Sequence, residues 1–210
     1  MAHPLLPHRG LYAITDGPRA DLLEACAAAI AGGAAMLQYR DKTAGAARRR
    51  AEAAALADLC ARNRVPLIVN DDVELALAVG AAGVHLGEGD ADLADARARL
   101  GANAIIGVSC YNSLDRARHV AAAGPDYLAF GAFFASPTKP QARSATPRLL
   151  REAKALGVPL VAIGGITAEN GAELIEAGAD FLAVISAVFA ASDVRTAAHA
   201  LSQLFDTVRS

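Results

Sequence analysis

The chain has 210 residues, 54% of them apolar, and a formal net charge of −2, enough for one large domain that buries roughly 70% of its unfolded surface. The scattered, near-neutral charge excludes a polyanion partner, and Arg48-Arg49-Arg50 lies in an Ala-rich helical run where it reads as a solvated face, not a nucleic-acid patch. Apolar runs fall short of the ~20 residues that cross a bilayer, and the N-terminus, with Pro4, Pro7, His8 and Arg9, has no signal-peptide core, so no membrane partner and a cytoplasmic location are expected.

In chain order the sequence repeats one unit: a short apolar strand, a polar or glycine-bearing break, and an Ala/Leu-rich helix. Strands are predicted over 10–15, 35–40, 66–70, 83–86, 104–109, 126–132, 158–163 and 180–186. Helices are predicted over 20–31, 45–62, 73–79, 93–100, 114–122, 147–156, 168–176 and 194–208. Several helices share one stop, as in Ile30-Ala-Gly-Gly-Ala, Val79-Gly-Ala-Ala-Gly, Ala123-Gly-Pro-Asp and Glu176-Ala-Gly-Ala-Asp, where glycine supplies the left-handed residue and the next strand begins at once. Cys26, Cys60 and Cys110 lack metal-ligand spacing, and Cys26 and Cys60 fall on apolar helix faces, so buried thiols are expected in place of disulfide or zinc.

Alternating βα units with strands apolar throughout imply a parallel sheet covered by helices. An open doubly wound sheet concentrates function at its switch point. Here distinctive polar residues follow strands two to eight, and no G-x-G-x-x-G or P-loop follows any strand. The expected fold is α/β, a single (β/α)8 TIM barrel spanning residues 1–210 as one catalytic domain.

The strand ends carry the chemistry. Gln38-Tyr39-Arg40-Asp41-Lys42 puts two cations at the barrel mouth, with Asp41 orienting them; of seventeen arginines and three lysines, Lys42 and Lys139 lie directly after strands, where an ammonium suits phosphate. Strands three and four end in Asn70, Asp71, Glu88 and Asp90, acids without a basic neighbour in sequence, which suggests Mg²⁺. Helix N-capping by Asp71 or Asp72, and by Asp90 or Asp92, competes with that assignment, although each loop has acids to spare. His85, inside a strand, reads as a satisfied core histidine. Ser109 is placed to hydrogen-bond a ligand, with Asn112 or Ser113 the plainer helix cap. Ser136-Pro137-Thr138-Lys139-Pro140 forms a proline-stiffened anion loop, whereas Gly164-Gly165 follow strand seven and Ile185-Ser186 end strand eight, where barrels hold phosphate and where a short helix would point its positive end. Two anion sites and one metal suit a phosphorylated acceptor beside a pyrophosphorylated donor.

Eight segments, in order over nearly the whole chain, resemble the thiamine-phosphate synthase family: Leu11-Tyr-Ala-Ile-Thr-Asp16, Gln38-Tyr-Arg-Asp-Lys42, Val69-Asn-Asp71, Gly83-Val-His-Leu-Gly-Glu-Gly-Asp90, Ile106-Gly-Val-Ser-Cys110, Ser136-Pro-Thr-Lys139, Ala162-Ile-Gly-Gly-Ile166 and Val184-Ile-Ser186. The resemblance implies condensation of a hydroxymethylpyrimidine diphosphate with a thiazole phosphate to give thiamine monophosphate and pyrophosphate. By matching position it implies that Gln38, Tyr39, Arg40, Asp41, Lys42, Asn70, Ser109 and Lys139 bind the pyrimidine diphosphate. Asp71 and Asp90 would hold Mg²⁺, and Ser136, Pro137, Thr138, Gly165, Ile185 and Ser186 the thiazole phosphate.

Arg40, Lys42, Lys139 and Ser109 are thus the catalytic candidates, the three cations stabilising a leaving group lost dissociatively, with no general base needed. The chain departs from the family at Glu88, where glutamine is usual. Two alternatives are weighed: a thiazole tautomerase of the same fold, whose members tend to lack the paired acids and the Thr-Lys loop, and a non-catalytic phosphate-binding barrel. A homo-oligomer is left open.

Overall fold

The computed structural model describes residues 3–43, 45–89, 92–135 and 144–208. Eight parallel strands close into a barrel in sequence order, β1 (Gly10–Ile14), β2 (Ala34–Tyr39), β3 (Leu67–Asn70), β4 (Gly83–Leu86), β5 (Ile105–Tyr111), β6 (Tyr127–Phe130), β7 (Leu160–Ile163) and β8 (Phe181–Val184), with β8 pairing back onto β1. Helices α1 (Leu22–Ala31), α2 (Ala46–Asn63), α3 (Val73–Val79), α4 (Leu93–Leu100), α5 (Leu114–Ala121), α6 (Pro147–Ala153) and α7 (Ala172–Glu176) join successive strands, and α8 (Ser186–Phe189) and α9 (Val194–Thr207) follow β8. All eight predicted strands and helices are present. The short α8 anticipated after the last strand is there too, and β6 ends earlier and β5 later than the apolar runs suggested.

The strands read as apolar runs because both faces are covered. Outward residues meet helix stripes such as Leu22, Ala25, Cys26 and Ala29 of α1, whose spacing follows the helical turn. Each large side chain so buried contributes about 1.5–3 kcal/mol. Inward residues, among them Ile14, Met36, Ile68, Ile105, Val161 and Phe181, form a second cluster inside the barrel. All four glycine stops carry a positive φ, at Gly33, Gly80, Gly124 and Gly178, so the chain turns from helix into strand where an L side chain would be strained.

At the N-terminal rim, two of these stops run into an aspartate that clamps neighbouring strands. Asp126 Oδ2 accepts from the Ile106 N–H at 2.7 Å and from Arg97 Nη2 at 2.6 Å. Asp180 repeats the device two βα units later: its Oδ2 accepts from the Leu160 N–H at 2.8 Å and its Oδ1 from Lys154 Nζ at 3.1 Å. The third lysine of the chain is therefore structural.

Cys26, Cys60 and Cys110 are free and buried, as expected, and burial pushes each thiol up to about 12. The arginine run is divided among local partners, Arg48 with Glu52 at 2.7 Å and Arg49 with Asp72 at 3.0 Å. No helix among the described residues is long and apolar enough to cross a membrane.

Candidate active site

The barrel opens at the C-terminal ends of its strands into a cavity of about 900 Å³. Strand alternation decides which predicted residues reach it. On β2 the inward parity carries Gln38, Arg40 and Lys42 into the cavity wall. Tyr39 points the other way: its side chain is buried under α2 and its hydroxyl donates to Glu52 Oε2 at 2.8 Å. Asp41 is buried as well, and its Oδ1 accepts from the Thr43 N–H at 2.7 Å and from Thr43 Oγ1 at 2.8 Å. Of the five residues of this run expected to contact substrate, these two have side chains that shape the turn and are not among the cavity-lining residues. Thr15 fixes the turn from β1, its Oγ1 accepting from the Arg40 N–H at 2.8 Å and donating to the Arg40 carbonyl at 3.1 Å.

Asn70 and Asp71 follow on β3. The capping question is resolved by division of labour. Asp72 caps α3, accepting from the Leu75 N–H at 2.9 Å, and Asp92 caps α4, accepting from the Ala94 N–H at 2.8 Å. Asp71, in the left-handed region at φ 63°, turns its carboxylate to the rim, where Lys42 Nζ lies 3.1 Å from Oδ2. The acid that has no basic neighbour in sequence thus acquires one in space. Glu88 also lines the mouth and is exposed, its backbone N–H donating to the Tyr111 hydroxyl at 3.2 Å. Asp90 and the run Ser136, Pro137, Thr138 and Lys139 lie outside the described residues; Ala135, just before that run, lines the cavity.

Gly164, Gly165, Ile185 and Ser186 complete the mouth on the β7 and β8 side. A Cβ at Gly165, which sits at φ 63°, would meet the Ala135 carbonyl at 2.6 Å and Phe134 at 2.8 Å, so the loops pack backbone against backbone. Asn170, missed from the sequence, holds this loop: its Nδ2 donates to the Gly165 carbonyl at 3.0 Å and its Oδ1 accepts from the Thr167 N–H at 2.8 Å.

The cavity floor carries a polar layer that sequence reasoning also missed. Gln38 Nε2 donates to the Tyr12 hydroxyl at 2.7 Å, and Tyr12 and Tyr127 hydroxyls lie 2.9 Å apart. His85 bonds through Nδ1 to the Tyr127 hydroxyl at 3.0 Å and through Nε2 to Ser109 Oγ at 2.8 Å. His85 is thus satisfied, as expected, although it lines the cavity. Room for Tyr127 comes from Gly107, which stands between His85 and Tyr127 in strand register; a Cβ there would fall inside the phenol ring. The imidazole and that ring stack at 5.6 Å. Burial holds the imidazole neutral, lowering its pKa to about 4 with the Asp71 charge opposing weakly, and burial raises both phenols above their ordinary range. Inward parity in β1 and β6 was the available signal for the two tyrosines.

A barrel of this kind, with a cationic rim, a glycine-lined corner and an uncharged hydrogen-bonding floor, suits an enzyme that acts on small phosphorylated molecules. Residues 11–188 match the family model described as thiamine monophosphate synthase. The chain is 57% identical over 187 residues to a thiamine-phosphate synthase of Xanthomonas campestris pv. campestris, covering 88% of this chain and 90% of that one. It is 55% identical to the thiamine-phosphate synthase of Thiobacillus denitrificans over 93% of this chain and 94% of that relative. Among solved structures, thiamine phosphate pyrophosphorylase from Pyrococcus furiosus superimposes with a TM-score of 0.88 at 35% identity, covering 98% of this chain and all of the other. The chain belongs to the thiamine monophosphate synthase family and is an enzyme that forms thiamine monophosphate.

Proposed function

We propose that the enzyme joins a pyrimidinylmethyl diphosphate to a thiazole phosphate, with the diphosphate at the β2 and β3 rim and the thiazole phosphate at the β7 and β8 corner. The observation that carries this assignment is the convergence of Arg40, Lys42 and Asp71 on one sector of a single cavity whose other wall is Gly164, Gly165, Ile185 and Ser186. Asp71 and Asp90 would hold Mg²⁺, which when bound supplies positive charge to the diphosphate oxygens. The donors support that fit: the carboxylate of Asp71 is a hard ligand at the rim, the three thiols are buried in the core and do not line the cavity, and among the described residues no cluster of three or more acids, histidines or cysteines forms a dedicated cage. A cation that takes one or two carboxylates and completes its shell with phosphate and water suits such a site.

In the reaction the methylene carbon–oxygen bond breaks with its electron pair leaving on pyrophosphate, and the thiazole nitrogen lone pair forms the new carbon–nitrogen bond. No proton is transferred, so no base is needed. A floor whose one histidine is neutral and bonded through both ring nitrogens agrees with that economy. Arg40, Lys42 and Lys139 stabilise charge that grows on the leaving group, while Ser136, Pro137 and Thr138 bind the acceptor phosphate. Asn70, Gln38 and Ser109 orient the pyrimidine.

The test mixes both substrates with Mg²⁺ and measures pyrophosphate release. Release equal to the thiamine monophosphate formed is expected, with loss on chelation. Isomerisation of the thiazole phosphate without pyrophosphate would overturn the assignment in favour of a tautomerase.

A further inference from the structure

Five polar groups from five strands meet under the cavity, and with Gln38 as the donor at one end only one bonding order gives both phenol protons an acceptor within the group. Gln38 Nε2 donates to the Tyr12 hydroxyl at 2.7 Å, so the Tyr12 proton has the Tyr127 oxygen, 2.9 Å away, as its acceptor. Tyr127, having accepted, donates its own proton to His85 Nδ1 at 3.0 Å. An imidazole that accepts at Nδ1 and stays neutral carries its proton on Nε2, which then donates to Ser109 Oγ at 2.8 Å. The two ends of the chain are thereby defined: the Gln38 amide is left with its carbonyl oxygen as an acceptor, and Ser109 with its hydroxyl proton as a donor. Both residues line the cavity, and reversing one end alone leaves a buried hydroxyl proton or contact between them unsatisfied.

We propose that Tyr12, Tyr127 and His85 are positioning residues that act as one directed hydrogen-bond chain, presetting Gln38 as acceptor and Ser109 as donor toward the heteroaromatic ring of the substrate. This rests on the assignment of the pyrimidine to this floor. An aminopyrimidine complements such a pair, offering an exocyclic amine N–H to Gln38 and a ring-nitrogen lone pair to Ser109. The corresponding oxo-pyrimidine, which offers a carbonyl and a ring N–H, presents the opposite pattern. A site built to bond one polar edge discriminates strongly, because the mismatched analogue leaves buried groups unpaired. The neutrality that the chain requires follows from its enclosure: the two phenols and the imidazole pack on one another, Tyr12 edge-on to Tyr127 at 5.9 Å and His85 stacked on it at 5.6 Å.

Two measurements decide it. Nitrogen-15 NMR of the histidine-labelled wild-type enzyme is expected to show His85 as the neutral form protonated on Nε2; a proton on Nδ1 would overturn the direction of the chain. Steady-state turnover of the aminopyrimidine diphosphate and its oxo analogue is then compared in wild type, Tyr127→Phe and Tyr12→Phe, which keep the ring packing and remove one link each. The amino-over-oxo preference in kcat/KM is expected to fall roughly tenfold or more in both variants, chiefly through KM, and in Tyr127→Phe the His85 tautomers are expected to mix. Unchanged selectivity with an unchanged tautomer would overturn the proposal while leaving the assigned reaction intact. Absence of pyrophosphate release from any pyrimidine diphosphate by wild type would instead overturn the assigned reaction and the ligand named here, and the tautomer would still decide the chain.

Discussion

The two rims of the barrel use the same side chains for opposite ends. At the N-terminal rim, Asp126 and Asp180 each bond a backbone N–H of the neighbouring strand and a cation, Arg97 or Lys154, and the resulting clusters tie strand to strand. At the C-terminal rim, Asp71, Lys42 and Arg40 face the cavity, and the Lys42–Asp71 pair lies where Lys42 is 61% exposed. An exposed pair of that kind contributes roughly 0–1 kcal/mol to stability. Asp126 and Asp180 thus brace strands and stabilise the fold, whereas Asp71 is turned toward the mouth, which is the division expected between the two faces of such barrels.

The sharpest way to break this comparison is to remove an acid from each rim. Asp71→Ala is expected to cost about 10³-fold in Mg²⁺-dependent turnover with the thermal midpoint little changed. Full activity of that variant in the presence of chelator would erase the distinction. Lys139→Ala is expected to lower kcat about 10²-fold with little change in KM, since leaving-group charge develops in the transition state; an effect confined to KM contradicts the role.

On the N-terminal rim, Asp180→Ala and Asp126→Ala each leave a strand N–H and a cation without their acceptor, at a cost of about 2–4 kcal/mol in denaturant unfolding. Their folded fractions are expected to keep wild-type kcat, and a large loss of kcat in the native ensemble would show that the rims are coupled.

The smallest effect concerns the thiols between barrel and helices. An ordinary thiol titrates near 9, and these are raised to about 12, so their contribution to stability is present below pH 9 and is lost as pH rises from there toward 12. Alkylation at pH 8 is expected to be roughly a hundredfold slower in native enzyme than in urea. Equal rates would mean that the helix layer opens freely.

Much of this was legible in the chain itself. Alternating apolar strands and glycine-stopped helices specify eight βα units, because a strand covered on both faces must be apolar throughout and a helix must turn quickly to reach the next strand. The surplus of acids after β3 and β4 was visible too, and Asp72 and Asp92 take the capping duty as that surplus allowed. Inward parity carries Gln38, Arg40 and Lys42 to the mouth, and applied strictly it also sends Tyr39 outward.

What the sequence determined by itself is therefore what covalent periodicity controls: the element order, the closed parallel sheet it implies, and the strand ends at which chemistry is concentrated. Only the tertiary structure decided which groups meet across the barrel. The pairing of Lys42 with Asp71, the clamp of Asn170 on Gly165, and the chain from Gln38 through Tyr12, Tyr127 and His85 to Ser109 all join residues whose strands are brought together by closure and register. Local spacing carries no record of such contacts, because they depend on where one strand stands against another, and on a glycine at position 107 leaving room for a ring that belongs to β6.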